Sequence, residues 1–182
     1  MRNTFKSVLL FVATATIAAG CKKAPDTVTF DGHALKKATD ASLANGLDRV
    51  VYSADGDEGK LKSAPEVLTV VWSDDGSPEK TLSSWVDAAT AGISLDPWYA
   101  ATQGTTSCRA IRAMQSGRFA LSVTSCAKVK KHNACADWEE VVGLPCSVND
   151  EPCHSVKAKA LCDGRVDKLS SDLEEAMHKV AQ

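Results

Sequence analysis

Six of the seven cysteines in this 182-residue chain fall in its last 75 residues: Cys108, Cys126, Cys135, Cys146, Cys153 and Cys162. None lies between Lys22 and Ser107. In a chain that leaves the cytoplasm, an even set of this kind reads as a disulfide framework. Zinc fits poorly, because no C-x-x-C pair is present and neighbouring cysteines are separated by six, eight or ten residues or more. Haem attachment fails as well, since Pro152-Cys153-His154 lacks the first cysteine of C-x-x-C-H. With all six paired, no thiol is left for catalysis. Whatever fold forms must therefore bring three cysteine pairs together in its C-terminal half.

The export that this reading needs is written in residues 1–20. Arg2 and Lys6 form a short positive start, and no acid appears before Asp26. Val8, Leu9, Leu10, Phe11 and Val12 open an apolar or small stretch that runs through Ile17 to Ala19. It falls short of the roughly 20 residues needed to span a bilayer but suits the core of a signal peptide. Ala18, Ala19 and Gly20 then lead into Cys21. This arrangement resembles the lipobox of bacterial lipoprotein precursors, with Ala18 where the family's pattern opens on Leu. The resemblance covers residues 1–21 only. It implies cleavage before Cys21, acylation of that cysteine (palmitate among its chains) and a mature protein tethered in the cell envelope facing the periplasm. Lys22 stands where an aspartate would signal inner-membrane retention, which favours the outer membrane.

The mature chain then has a normal single-domain length. The signal holds two of the 21 basic residues and none of the 23 acids, so the remainder is net −4. No dense basic stripe occurs, which argues against nucleic acid as a partner. Lys128, Lys130, Lys131 and His132 form the most basic spot and read as a solvated loop.

Patterning suggests one α+β domain over 30–182, preceded by the lipidated cysteine and a short polar tether over 21–29. Helices are expected near 33–45, where Leu35, Ala38, Ser42 and Leu43 share a face, near 78–91, and near 166–180. Strands are expected near 48–53, 67–72, 108–115 and 119–126. The expected fold is thus a small antiparallel sheet packed with about three helices and stapled in its C-terminal half. Centring a hairpin on Gly117 puts Cys108 opposite Cys126, which makes that pair the preferred disulfide. Trp138, Val141, Val142 and Leu144 form a short apolar run, and 145–162 reads as a stapled loop.

Motifs for catalysis are missing: no H-E-x-x-H, G-x-S-x-G, S-x-x-K, Walker loop or dinucleotide fingerprint occurs. No catalytic residue, metal or cofactor is expected. Ser122 and Ser125 have no placed base. Asp55, Asp57 and Glu66 take three positions of a calcium-loop pattern that fails at Gly59 and Lys60. Adjacent Glu139 and Glu140 would point to opposite faces of a strand. Trp72 and Trp85 lie on regular apolar patterns and read as core, whereas Trp98-Tyr99 lies on none. That pair reads as a lid over the core or as an aromatic anchor for a protein partner. The expected function is a membrane-anchored, non-enzymatic protein-binding module, an inhibitor or immunity protein or an envelope-complex accessory among its versions. The alternative is an envelope enzyme or small-ligand binder, with His154, Glu139 and Asp137 the residues to inspect.

Overall fold

The computed structural model describes residues 24–43, 46–78, 80–81, 97–103, 106–113, 118–143, 146 and 150–182. Among the described residues eight antiparallel strands form one sheet: β1 (Thr27–Phe30), β2 (His33–Ser42), β3 (Asp48–Ser53), β4 (Glu66–Ser73), β5 (Pro97–Gln103), β6 (Thr106–Ala113), β7 (Arg118–Val129) and β8 (His132–Gly143). Their order is β1-β2-β3-β4-β8-β7-β6-β5, so the chain builds one half outward-in, crosses to the opposite edge, and returns to the centre. One long helix, α1 (Glu151–Val180), covers a face. A short 3-10 turn (Glu58–Ser63) joins β3 to β4.

The sheet is strongly curled. Phe30 on β1 and Trp138 on β8 have ring centroids 4.6 Å apart, although four strand spacings, roughly 19 Å if flat, separate their strands in the sheet order. The α1 side of the sheet holds the main core, including Leu35, Val50, Tyr52, Leu68, Val70, Leu121, Val123, Ala136 and Trp138. Every second residue of β3, β4, β7 and β8 faces this core, as the strand period of two requires.

This architecture corrects the expected sheet with about three helices. The stretch expected as a helix at 33–45 contains β2 instead. Its apolar residues suit either period, and a two-residue turn decides between them. Asp31 and Gly32 both take positive φ, +47° and +78°, and pair Phe30 with His33. Asp-Gly is the sequence signature of such a hairpin. The stretch expected as a helix at 78–91 has helical backbone at 78 and 80–81, and 82–91 lies outside the described residues.

The C-terminal helix starts 15 residues earlier than expected, inside the stretch read as a loop. Asp150 caps it by accepting a hydrogen bond from the Cys153 amide at 3.0 Å, and Pro152 sits in its first turn. Aspartate before proline is a helix start, and the cysteines that follow obscure it. One stripe of α1 then faces the sheet: His154, Ala158, Cys162, Val166, Leu169, Leu173, Ala176, Met177 and Val180 are all buried.

All six C-terminal cysteines are paired, but not as expected. Cys108 bonds Cys162, joining β6 to α1; Cys126 bonds Cys135, joining β7 to β8; and Cys146 bonds Cys153. The preferred Cys108–Cys126 pair does not form. In the β6–β7 hairpin Cys108 lies opposite Val123 and Ala113 opposite Arg118, three residues from the register centred on Gly117. An odd shift moves a residue to the other face. Cys108 therefore points to α1, and Cys126 points away from it, opposite Cys135.

Two glycines are set by backbone geometry. A Cβ on Gly32 would meet nothing within 4 Å, whereas one on Gly56 (φ +69°) would lie 2.7 Å from Lys36 Cβ. Gly32→Ala is expected to cost about 1 kcal/mol, from left-handed strain alone. Gly56→Ala should cost roughly 2–4 kcal/mol, because overpacking adds to the same strain. Urea unfolding of the two variants measures the difference, and equal losses would disprove it.

Candidate functional site

The face turned away from α1 carries the polar residues worth inspecting. Asp137 on β8 lies opposite Thr69 of β4 and Thr124 of β7, and all three are buried. The Thr124 hydroxyl donates to Asp137 Oδ1 at 2.5 Å and the Ser122 hydroxyl donates to the same oxygen at 2.7 Å. Beside it, Val71 and the Cys126–Cys135 disulfide make a small second core. Pro78 and Thr81 lie across one end of this face. The Thr81 hydroxyl donates to the Asn133 carbonyl oxygen at 3.5 Å, and Cys135 Sγ is 3.3 Å from the Pro78 carbonyl oxygen.

Glu139 follows Asp137 on the same face. The residue is exposed, between Val67 of β4 and Ser122 of β7. Partial loss of water around the carboxyl, then the nearby charge of Asp137, pushes it up to about 7. The folded protein therefore holds a proton that the unfolded chain releases near 4.5. Between these values the native state binds more protons than the unfolded state, so this group lowers stability as pH rises. Glu139→Gln should flatten that fall and raise the thermal midpoint above pH 7, by less than full linkage because the carboxyl keeps solvent access. Melting curves across this range check it; parallel profiles for variant and wild type would remove the effect.

Glu140 points the other way, as adjacent strand residues must. It accepts hydrogen bonds from Arg165 of α1 at 2.7 and 2.9 Å. His154 is buried on the sheet-facing stripe of α1, whereas Asp137 and Glu139 lie on the sheet's other face. The three residues named for an enzymatic or ligand-binding site therefore do not converge.

Among the described residues no group of three or more His, Cys, Asp or Glu side chains is placed to hold a metal ion. In the acidic β3–β4 connection, Lys60 Nζ lies 3.5 Å from Asp55 and 3.6 Å from Asp57, so an ammonium stands between the two carboxylates. Asp57 also caps the 3-10 turn by accepting from the Gly59 amide at 2.9 Å. Glu66 has left this loop and faces His33, with 3.3 Å between Oε2 and Nδ1.

Trp98 and Tyr99 fall on β5, the last strand of the sheet. The β5–β6 register shifts between Pro97 and Tyr99, which places Trp98 at a bulge. Bulges on edge strands interrupt backbone pairing. Trp85 lies outside the described residues, as do Cys21 and the lipobox-like residues before it. Ser122 and Thr124 are the partners of Asp137 that no sequence motif marks. Their alternation along β7 was visible, but the β7–β8 register that sets them opposite Asp137 was not.

No protein family, no curated protein and no solved structure matches this chain.

Proposed function

We propose that the mature chain is a lipid-anchored periplasmic protein that acts by binding another protein, without catalysis of its own. The signal layout of residues 1–20 and the small residues before Cys21 support the anchor, and Lys22 favours the outer membrane. The observation that carries the binding role is the position of Trp98-Tyr99, on a terminal strand and at a bulge. A terminal strand can take up an extended segment by backbone pairing, and Trp and Tyr are enriched at binding hot spots. An inhibitor of a secreted or lytic enzyme and an accessory subunit of an envelope complex are two versions of this role. The enzymatic or ligand-binding alternative draws no support from its three named residues, since Asp137 and Glu139 lie on the face away from α1 and His154 lies on α1.

The test is crosslinking capture from native envelopes with the full lipoprotein and with Trp98→Ala. A partner held by the wild type and lost in the variant is the expected result, with binding then reproduced between purified proteins. Equal capture by both proteins would displace the proposed face. No reproducible partner would overturn the binding role.

A further inference from the structure

The fold takes hold of the chain three residues after Cys21, within the stretch expected to be a tether. Ala24 is 6% exposed and belongs to the main core. Its carbonyl oxygen accepts a 2.7 Å hydrogen bond from Lys37 Nζ, and the Pro25 oxygen accepts one of 3.0 Å from the Tyr52 hydroxyl. The Asp26 oxygen accepts the Lys37 amide at 2.9 Å, and the Asp26 carboxylate lies 3.1 Å from Lys37 Nζ. Three successive carbonyls are thus pinned before β1 begins at Thr27.

We propose that the β1–β2 edge of the sheet lies against the bilayer that holds the Cys21 acyl chains, so that the domain stands on the membrane in one orientation. The proposal rests on the lipoprotein reading above. Three residues reach at most about 11 Å. A domain of this length has a radius of roughly 20 Å, from its expected radius of gyration. A leash shorter than the radius, joined to a core residue, cannot let the opposite side turn to the membrane. The edge concerned is also one that gains from cover. The four-residue β1 pairs with β2 only as far as Lys36, while β2 runs on to Ser42, and no described strand pairs with that outer edge. An open strand edge invites pairing with other chains, and charged residues blunt it. Lys36 and Asp40, both exposed, are side chains a headgroup layer accommodates. At the other edge of the sheet lies β5, with Trp98 and Tyr99.

The test uses the full lipoprotein, reconstituted in phospholipid vesicles containing a headgroup-nitroxide lipid. A fluorescent noncanonical residue is placed at position 36 or, separately, at position 131. Lys131 is at the tip of the β7–β8 hairpin, three strand spacings across the sheet from β2 and roughly 20 Å along the strands from the level of Ala24. Quenching at 36 should exceed quenching at 131 several-fold. Inserting about twelve glycine and serine residues between Lys23 and Ala24, a span of roughly 20 Å, should bring the ratio close to one. Equal quenching in the acylated protein without the insert would overturn the orientation while leaving the anchor intact. Failure of the anchor reads out separately: the intact mass would show no acyl chains on Cys21, and Cys21→Ser would leave membrane association unchanged. That result would overturn both.

Discussion

Replacing Cys108 and Cys162 together by alanine is expected to lower the unfolding free energy by about 4 kcal/mol, from the loop-closure entropy of a bridge between residues 54 apart. The same change at Cys126 and Cys135, nine residues apart, should cost roughly 2–3 kcal/mol. The difference has a structural source as well. Cys126 and Cys135 join strands that a two-residue turn already holds together, with Val129 paired to His132. Cys108 and Cys162 join a strand near one edge of the sheet to the helix covering it, and no short connection duplicates that link. Against a typical domain stability of about 5–15 kcal/mol, the first loss is large. Urea titration of the two double variants measures both. A Cys126/Cys135 variant no more stable than the Cys108/Cys162 variant would contradict the ranking.

Arg165→Met is expected to cost about 3 kcal/mol, because it leaves the buried Glu140 carboxylate without its bidentate partner. The side chain of Glu140 is 7% exposed and that of Arg165 26%. The Glu140 charge would then face the sheet–helix interface alone. Arg165 also approaches Asp31 in the β1–β2 turn at 3.8 Å, but Lys168 pairs with that aspartate as well, so Asp31 keeps a cation. Changing Glu140 to Gln in the same protein should therefore recover most of the loss, since removing both charges spares the cost of an unpaired one. A double-mutant cycle by thermal or urea unfolding gives the coupling directly. If the double variant is as unstable as Arg165→Met alone, the loss comes from packing of the arginine stem and not from the orphaned carboxylate.

These predictions depend on features read from different levels of the molecule. The cysteines could be read as paired from their number, their clustering and the signal-like layout ahead of them. Their partners could not. Cys162 meets Cys108 only because it lies on the buried stripe of a helix that starts at Glu151 and packs across β6. The Asp-Gly turn at 31–32 and the Asp-x-Pro helix start at 150–152 were both legible. Each was outweighed by a competing pattern: a helix-like spacing of Leu35, Ala38, Ser42 and Leu43 in the first case, closely spaced cysteines in the second.

The candidate site divides in the same way. That adjacent Glu139 and Glu140 face opposite sides follows from the strand period alone, once a strand is assumed. That Glu139 joins Asp137, and Glu140 joins Arg165, follows only from the placement of β8 between β4 and β7 with α1 on one face. Trp98-Tyr99 stood out in the sequence for lying on no apolar pattern, and its place on a terminal strand came from the sheet order.

By itself, then, the sequence determined the local and compositional properties: the even cysteine set, the absence of known catalytic motifs, and strands at 48–53 and 67–72. Turn chemistry and side-chain period act over a few residues, so they can be read in a line. Tertiary structure decided the register of β6 on β7, the disulfide partners, the full length of the C-terminal helix and the docking of Ala24 into the core. Each of these depends on contacts between residues far apart in the chain. In a sheet, a shift of one residue exchanges the two faces, so neighbouring residues alone leave them undetermined.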